Sequence, residues 1–496
     1  MQYLSTRDPN QSVSSAQAIL SGISPEGGLY VPQEIPQVSR RELESLCTMN
    51  YQQRAQWILS RFLTDFTQQE LEECVNAAYG DQFDDETPAP ISCLAPNTYL
   101  LELWHGPTCA FKDMALQILP HLLVKSAQKC GSSEEVVILV ATSGDTGKAA
   151  LEGFKDVPGT RMVVFYPRDG VSPMQKLQMQ TQEGDNLRVC AIEGNFDDAQ
   201  TGVKEIFVDP GLLQKMEFGG FRFSSANSIN WGRLVPQVVY YFSGYCDLVA
   251  SGEISPGESI HVVVPTGNFG NILAAYLAKK MGLPIGKLLC ASNENDVLTE
   301  FLHTGTYNRM RPFHLTYSPS MDILVSSNLE RLLYLTNGGD TQQIRQWMDD
   351  LKQEGQYTIP PEMLEKIQQD FWACSCDDRQ TLTTISDAFQ VYSYLCDPHT
   401  AVALHTLQAY RQQTQDQTKA LVASTASPYK FADCVLKAIG CSDTMRNGFE
   451  AVRQLQERSG VKVPAPILAL SQRQVRFDQC IRKSQMKEYV LKMLGI

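Results

Sequence analysis

The feature that most constrains this chain is a short apolar run that ends in small or polar residues before a helical segment. The first example is EVVILVA, Glu135 to Ala141. Others read RMVVFYP, LRVCAIEG, SIHVVVPTG, KLLCASNEN and ALVASTASP. Buried strands that alternate with helices are typical of α/β proteins with largely parallel sheets. Such proteins bind ligands at the carboxyl ends of their strands, where these polar loops lie.

The predicted secondary-structure pattern changes along the chain. The first part shows helical patterns and few strand signals, and the proline-rich DDETPAPISCLAPN predicts a boundary near residues 84–97. A Gln-rich helical pattern later in the chain predicts an insertion. We therefore expect an N-terminal helical region (1–94), a large domain (95–125 and 206–496, with a helical insertion at about 327–395) and a small α/β domain (126–205).

Composition and charge exclude several classes of protein. The net charge of −13 argues against a nucleic-acid or anionic-membrane surface. The start MQYLSTRDPN lacks the pattern of a signal peptide, and no apolar window is long enough for a transmembrane helix, so we expect a cytoplasmic protein. The 14 cysteines and 7 histidines are dispersed without metal-ligand spacing, which predicts reduced thiols and no metal site.

Lys112 lies in the stretch HGPTCAFKD, after a predicted turn and at the start of a helix that we expect to run through KDMALQILPHLLV. The positive end of a helix and burial beside Phe111 both favour the neutral amine. A Schiff base requires that neutral amine, so Lys112 is a candidate nucleophile. The alternative is a lysine whose charged end reaches solvent. His105 is expected either to support Lys112 or to cap and pack locally.

A glycine-rich turn follows the strand in VPTGNFGNILAAYLAKKMG. Gly267 and Gly270 open this turn, and Asn271 stands where a helix should begin. Such a turn offers several backbone N–H groups to one phosphate. Neither a Walker motif nor a complete dinucleotide fingerprint is present, which favours a small phosphate group over a nucleotide. The alternative is that the turn is only a tight connection.

The stretch VATSGDTGKAALEGF resembles a P-loop only in part. Thr142 and Ala149 occupy the positions of the first glycine and the final hydroxyl of that motif, which excludes an ATPase of this type. The hydroxyls of Thr142, Ser143 and Thr146 remain at a strand-to-helix turn that suits a carboxylate. The alternative is a helix that is simply capped, with Asp145 as the cap.

Two further loops carry candidate binding groups. In SSANSINWGRLVPQ, Arg233 lies near Asn230, and an arginine with amides suits a phosphate dianion. In LVASTASPYKF, Thr425 ends a strand with a neutral hydroxyl. The alternatives are a surface arginine and hydroxyls that serve only the backbone. All these features together fit a site for pyridoxal 5′-phosphate (PLP) that acts on an amino acid with a second phosphate.

At these residues the chain resembles the threonine synthases, which are fold-type-II PLP enzymes with a tryptophan synthase β-like fold. The motifs are HGPTCAFKD, ATSGDTG, PTGNFGN, SPSMDI and SPEGGLYVP, in the order of the family. The resemblance covers essentially the whole chain, and its long N-terminal region is similar to the larger branch of the family. It implies two parallel-sheet domains, a large PLP-binding one and a small one on the substrate side, and an N-terminal helical region.

The resemblance also implies roles for particular residues. Lys112 would be the PLP lysine, Asp145 would stand near the cofactor hydroxyl, and Thr425 would stand near the pyridine nitrogen. The cofactor phosphate would be bound by Gly267, Asn268, Phe269, Gly270 and Asn271. One position departs from the family pattern, because TASP replaces TAHP and Ser427 stands where histidine is expected. That departure concerns any role of a histidine there and not the cofactor site.

The implied reaction converts O-phospho-L-homoserine and water to L-threonine and phosphate through a PLP aldimine, by β,γ-elimination and then addition of water. Lys112 would move protons at Cα and then at Cβ. Two alternatives stay open: a phospho-lyase that gives 2-oxobutyrate, and a non-catalytic homologue that binds PLP or a metabolite. We expect a small-molecule substrate, no nucleic-acid or membrane partner, and a monomer or homodimer.

Overall fold

The structure is a computed structural model that describes residues 1–142, 144–168, 171, 173–441 and 448–496. Its N-terminal region contains the predicted helices and, in addition, a small antiparallel sheet of strand order β2-β1-β3. These strands have two or three residues each, too few for a recognisable pattern. The elements are β1 (Tyr3–Ser5), β2 (Ser12–Val13), α1 (Ser15–Ser21), β3 (Tyr30–Pro32), α2 (Arg40–Leu46), α3 (Tyr51–Phe62) and α4 (Gln68–Ala78).

The remaining elements alternate as the sequence predicts. The strands are β4 (Ile91–Ala95), β5 (Thr98–Glu102), β6 (Glu135–Ala141), β7 (Thr160–Pro167), β8 (Leu187–Glu193), β9 (Phe221–Ser224), β10 (Ile260–Pro265), β11 (Ile285–Ser292), β12 (Thr306–Asn308), β13 (Gln356–Thr358), β14 (Phe371–Ser375), β15 (Ala420–Ser424) and β16 (Cys480–Arg482). The helices are α5 (Asp113–Leu116), α6 (Leu119–Lys129), α7 (Asp145–Phe154), α8 (Pro173–Gln180), α9 (Phe196–Phe207), α10 (Pro210–Phe218), α11 (Trp231–Leu234), α12 (Pro236–Ala250), α13 (Gly270–Lys280), α14 (Val297–Thr304), α15 (Leu329–Thr336), α16 (Thr341–Gln353), α17 (Pro361–Asp370), α18 (Asp378–Tyr392), α19 (Pro398–Thr414), α20 (Ala432–Ala438), α21 (Gly448–Ser459), α22 (Ala465–Ala469) and α23 (Met486–Leu494).

The larger sheet has the strand order β14-β11-β10-β15-β5-β4, and the smaller one has the order β16-β8-β7-β6-β9. Neighbouring strands pair parallel in both sheets, except that β4 and β5 form an antiparallel hairpin. This confirms the predicted α/β class with parallel sheets and a helical N-terminal region. Side chains from the N-terminal region and from both sheets share one hydrophobic core.

Strand pairing corrects two of the predicted limits, while the division into domains stays a prediction. The smaller sheet extends beyond 126–205, because β9 and β16 form its two edges. The predicted helical insertion contains β14, which pairs with β11 at the edge of the larger sheet. Edge strands are short and have one neighbour only, so a sequence that is helical on both sides of them hides their pattern.

The helix predicted to start at Lys112 is broken into α5 and α6. Pro120 lies in the first turn of α6, and because proline has no N–H, the carbonyl of Leu116 receives no helical hydrogen bond from it. A side chain at Gly153 of α7 would collide with this carbonyl, so a glycine lets α7 approach the break closely.

No helix of the described residues is long and apolar enough to cross a membrane. All 14 cysteines lie in the described residues and are free thiols, as predicted.

Candidate active site

The turn that carries Lys112 is tied to the end of the central strand β15. The backbone N–H of Phe111 donates to the carbonyl of Thr425 (2.8 Å), and that of Ser427 donates to the carbonyl of Cys109 (3.1 Å). This short antiparallel bridge holds Lys112 and Thr425 next to each other at the carboxyl ends of the strands of the larger sheet. The fold therefore places the first candidate residues where parallel sheets bind ligands.

A buried carboxyl group shapes the turn itself. Asp113 accepts hydrogen bonds from the backbone N–H of Thr108 (2.8 Å) and from its hydroxyl (2.7 Å). Gly106 faces the same carboxyl group, and a Cβ at this glycine would lie 2.7 Å from the side chain of Asp113. Burial raises the pKa of Asp113 to about 6, although both bonds to Thr108 oppose this rise.

Lys112 is buried, and its amine is surrounded by few polar groups. Nζ lies 3.1 Å from the hydroxyl of Ser320 and 5.0 Å from the centre of the Phe111 ring. Burial lowers the pKa of Lys112 to about 8; the charges of Lys430 and Arg233 act in the same direction, and that of Asp145 opposes them. The predicted preference for the neutral amine thus rests first on burial, since α5 spans only four residues.

Asp145 lies between two lysines. Its carboxylate is 3.8 Å from Nζ of Lys112 and 2.9 Å from Nζ of Lys430, and Gln175 donates to it over 3.3 Å. Burial alone would raise the pKa of Asp145, but the ammonium groups of Lys430 and Lys112 hold this pKa well below its usual range. Asp145 is therefore a buried carboxylate that stays ionised beside the candidate nucleophile.

Ser320 connects Lys112 to a second polar network. Its hydroxyl lies 3.4 Å from the Asp145 carboxylate, and its backbone N–H donates to Nε2 of His399 (3.2 Å). Because Nε2 accepts this bond, the proton of the His399 ring lies on Nδ1, which faces Asp397 at 2.7 Å. The backbone carbonyl of Ser320 packs against Gly267, where a Cβ would approach it to 2.7 Å. The Ser320 loop is thus wedged between Lys112 and the glycine-rich turn.

The glycine-rich turn keeps its donors free. Phe269 has a left-handed backbone (φ 61°), and α13 starts at Gly270. Among the described residues, the backbone N–H groups of residues 268–271 find no acceptor. Gly270 itself has a negative φ, so the strained position is its neighbour. Unpaired N–H groups at the start of a helix are the arrangement that binds a phosphate.

Side chains around this turn support the same conclusion. Asn271 accepts hydrogen bonds from Tyr240 (2.8 Å) and Tyr241 through Oδ1, but its buried Nδ2 has no partner among the described residues. Asn268 is fixed through its carbonyl, which accepts from the side chain of Asn328 (3.1 Å). A buried amide without an acceptor is costly unless a ligand supplies one.

The turn before α7 is different, because a side chain accepts from two of its backbone N–H groups. The hydroxyl of Thr142 accepts from the backbone N–H groups of Gly144 and Gly147, both at 3.0 Å. Thr142 therefore caps α7, whereas the alternative interpretation of the sequence gave this role to Asp145. Thr146 is half-buried on the same turn, and Ser143 lies outside the described residues. The predicted contact of these three side chains with a substrate carboxylate stays a prediction.

Asn230 and Arg233 lie at α11 but have different surroundings. The Asn230 amide donates to the carbonyls of Ile19 (2.9 Å) and Ser225 (2.8 Å), and its oxygen accepts from Gly232 (2.8 Å). All its polar side-chain groups thus have partners inside the chain and Asn230 caps α11, while its predicted contact with the substrate stays a prediction.

Arg233 is buried and has little internal compensation. One guanidinium nitrogen donates to the carbonyl of Ala226 (2.8 Å), and no carboxylate of the described residues pairs with the group. Burial lowers the pKa of Arg233 to about 10, which leaves it charged at neutral pH. Asn328 donates to both Ser228 and Asn268 (3.1 Å each), and so holds the loop before Arg233 against the glycine-rich turn.

Other predicted residues have clear positions. Thr425 is buried, and its hydroxyl has no partner among the described residues. Ser427 is also buried and accepts from the backbone of Tyr429 (3.4 Å), so it caps a 3₁₀ turn.

His105 does not contact Lys112. It lies between Asp84 (2.7 Å) and Glu102 (2.9 Å), and these carboxylates overcome the effect of burial and raise the pKa of His105 to about 9.

Sequence reasoning missed three residues of this site: Lys430, Ser320 and His399. Ser320 belongs to the motif SPSMDI and Lys430 to the stretch LVASTASPYKF, but neither residue type indicates a role without its neighbours. His399 follows a capping aspartate in DPHT, a common start of a helix. Only the folding of distant segments onto Lys112 brings these side chains together.

The site fits the predicted cofactor. A buried lysine with a pKa of about 8 can supply a neutral amine, and free N–H groups at α13, with the unpaired Asn271 amide, can hold a phosphate.

Comparisons with known proteins agree with this geometry. Residues 2–79 match the family described as threonine synthase N terminus, residues 87–425 match pyridoxal-phosphate dependent enzyme, and residues 400–488 match threonine synthase, C-terminal. The threonine synthase of Pseudomonas aeruginosa is 38% identical over 88% of this chain and 90% of its own length. Human threonine synthase-like 1 is 43% identical over 88% of this chain, and the match spans 60% of that longer protein.

Solved structures give the same result. The PLP-bound threonine synthase from Brucella melitensis superposes with a TM-score of 0.89 at 36% identity, over 100% of both chains. The yeast threonine synthase has the same TM-score at 31% identity, over 100% of this chain and 99% of that one. From its fold, its site and these relatives, the chain belongs to the threonine synthase family of fold-type-II enzymes, and its cofactor is pyridoxal 5′-phosphate.

Proposed function

We propose that the chain is a threonine synthase, which converts O-phospho-L-homoserine and water to L-threonine and phosphate. The observation that carries this proposal is that two groups suited to binding an anion belong to the site of Lys112. One is the set of free N–H groups at residues 268–271, and the other is the buried, charged guanidinium of Arg233. PLP has one phosphate and the substrate has another, so a site for both needs two such groups.

In this proposal the two sites divide the work. Backbone donors at the start of α13 suit the permanently held cofactor. Arg233 suits the substrate phosphate, because a charged fork distinguishes the phosphate ester from unphosphorylated homoserine. Thr142, Ser143 and Thr146 remain the proposed site of the substrate carboxylate. Here Thr142 would act through the turn that it caps, since its hydroxyl already accepts two backbone bonds.

Lys112 carries the proton transfers. Bound PLP supplies an electron sink for the carbanion at Cα of an amino acid. With a pKa near 8, about a tenth of the Lys112 amine is neutral at pH 7 and about half at pH 8, so it can both accept and return protons. Lys112 removes a proton at Cα and then one at Cβ as phosphate leaves from Cγ; protons then return to Cγ and Cα, and the hydroxyl of water adds at Cβ, its other proton leaving with the phosphate.

Two residues tune the cofactor in this proposal. The ionised Asp145 would stand near the cofactor hydroxyl, and Thr425, whose hydroxyl has no partner among the described residues, would face the pyridine nitrogen. A neutral hydroxyl there would leave that nitrogen unprotonated, which would restrain the electron sink and favour elimination over transamination. The cytoplasmic location and the monomeric or homodimeric state stay predictions.

A phospho-lyase that gives 2-oxobutyrate is the second candidate. It stays open because the name of the human relative, threonine synthase-like 1, assigns no reaction, and because Ser427 stands where this branch of the family is expected to have histidine. Incubation with O-phospho-L-homoserine separates the two, because threonine and 2-oxobutyrate are quantified from the same reaction. We expect threonine as the main product. Mainly 2-oxobutyrate would support the lyase, and PLP binding without turnover would support a non-catalytic homologue.

Substitution of Arg233 tests the assignment of its phosphate. Arg233→Ala should keep PLP binding but lose about 30-fold to several-thousand-fold in kcat/KM, since loss of a buried charged partner costs about 2–5 kcal/mol. Arg233→Lys should rescue only in part, because lysine cannot form the bidentate contact. Arg54→Lys is a matched control, since Arg54 is a buried arginine that pairs with Asp247. Weak PLP binding in Arg233→Ala would instead assign this residue to the cofactor phosphate.

A further inference from the structure

Lys430 is a buried cation that no part of the proposed reaction uses. Its side chain is only 2% exposed, and its Nζ lies 2.9 Å from both the Asp145 carboxylate and the carbonyl of Thr108. Lysine side chains are rarely fully buried unless they are paired, because desolvation of the ammonium group costs free energy. Lys430 links the turn that carries Lys112 to the start of α7.

Two ammonium groups share one carboxylate in this cluster. Lys430 contacts Asp145 over 2.9 Å, and Lys112 lies on the other carboxylate oxygen at 3.8 Å. Lys430 is the nearer cation and therefore interacts more strongly with the negative charge of Asp145. The other charged or titratable groups that face this cluster are Arg233, Asp113 and His399.

We propose that Lys430 is a positioning residue that compensates the charge of Asp145 and thereby keeps the neighbouring Lys112 able to lose its proton. This inference rests on Lys112 as the PLP lysine but not on the identity of the substrate. Without Lys430, Lys112 would be the only lysine on the Asp145 carboxylate, and this pair would favour the ammonium form. An ammonium group has no lone pair with which to bind the cofactor covalently.

A second contact makes the arrangement rigid. The bond from Lys430 to the Thr108 carbonyl fixes the turn whose other end is closed by Asp113. Lys430 therefore acts both on the charge beside Lys112 and on the position of its backbone. These effects differ in experiment, because only the charge effect changes the pH at which Lys112 reacts.

The experiment measures how fast the full-length chain, freed of PLP, binds added PLP covalently between pH 6 and about 10. The rate should rise as Lys112 loses its proton, so its midpoint reports the pKa of Lys112. Lys430→Met should move this midpoint upward, with the rate at pH 7 falling about tenfold for each pKa unit. Lys430→Arg should keep the parent profile, because it restores the charge.

Lys148→Met is the matched control. Lys148 is equally buried at 2% exposure and pairs with Glu152 (2.8 Å) on the same helix as Asp145. Its loss should reduce stability and leave the midpoint in place. An unchanged midpoint in Lys430→Met, or an equal shift in Lys148→Met, would overturn the proposal.

A second comparison keeps the test decisive if Lys430→Met does not fold. In an Asp145→Asn background no carboxylate holds the Lys430 ammonium in place, so Lys430→Gln should raise the midpoint less than in the parent, by no more than the direct repulsion between the two lysines. An upward shift of the same size in this background as in the parent would overturn the proposal. No O-phospho-L-homoserine is used, so the result is independent of the product. Absence of covalent binding in the parent chain would instead count against the PLP site itself.

Discussion

The turn between β10 and α13 and the turn between β6 and α7 start from similar sequences but differ in what they leave unpaired. Both are rich in glycine, both follow a buried parallel strand, and both open a helix. In the first, the N–H groups of residues 268–271 have no acceptor among the described residues. In the second, the Thr142 hydroxyl accepts from two backbone N–H groups.

The difference shows what each turn can bind. In the first turn, the free backbone N–H groups and the unpaired side-chain amide of Asn271 are donors that an anion can satisfy. In the second turn the Thr142 hydroxyl satisfies two of the N–H groups, and the turn presents a carboxylate, Asp145, that is held by Lys430 and faces Lys112. One turn is therefore suited to hold a phosphate, and the other to control the charge of the reacting lysine.

Removal of Lys112 should have the largest effect on PLP binding and activity. Lys112→Ala should abolish covalent PLP binding and turnover and leave the protein folded, since Asp145 keeps Lys430 as its partner. The measurement is the absorbance band near ~410–420 nm of PLP joined to a lysine, together with thermal unfolding. Recovery of that band with a near-normal rate in the variant would contradict the assignment.

Substitution of the two glycines of the first turn should separate binding from folding. Gly270→Val should weaken PLP binding about 10- to 100-fold, the cost of one hydrogen bond to a charged group. Stability should fall less than in Gly267→Val, since a Cβ at Gly270 meets no atom closer than 3.4 Å. Gly267→Val should also destabilise the fold, because its Cβ would lie 2.7 Å from the Ser320 carbonyl. Full PLP occupancy of Gly270→Val at low PLP would place the phosphate site elsewhere.

The smallest expected effect tests the second turn. Thr142→Val leaves the N–H groups of Gly144 and Gly147 without their acceptor, so it should cost about 1–3 kcal/mol of stability. PLP affinity should stay near that of the parent, and Thr142→Ser should restore stability. Unchanged stability with a fall in kcat/KM would show instead that the hydroxyl contacts the substrate.

The strands that carry this site are predicted from the sequence because they are central and apolar. Buried strands such as β6 and β10 have neighbours on both sides and long runs of Val and Ile, which few other structures explain. The edge strands β9, β14 and β16 are not predicted from the sequence. They are short, and each pairs with a single neighbouring strand. The break at Pro120 was also missed, although proline in a helical pattern signals it.

For the site, the sequence by itself determined the parts whose chemistry is local: a lysine in a tight turn, a glycine-rich helix start and an arginine near amides. The tertiary structure alone decided which of these groups keep free bonding capacity. Asn230 uses all its polar groups inside the chain, whereas Arg233, three residues later, bonds one carbonyl and keeps its charge uncompensated.

The same holds for Lys430 and Ser320, which lie far from Lys112 in sequence and beside it in space. A residue type gives the donors and the charge that a side chain has. Whether those donors are already used, and how burial shifts its pKa, depends on neighbours that only the folded chain brings together.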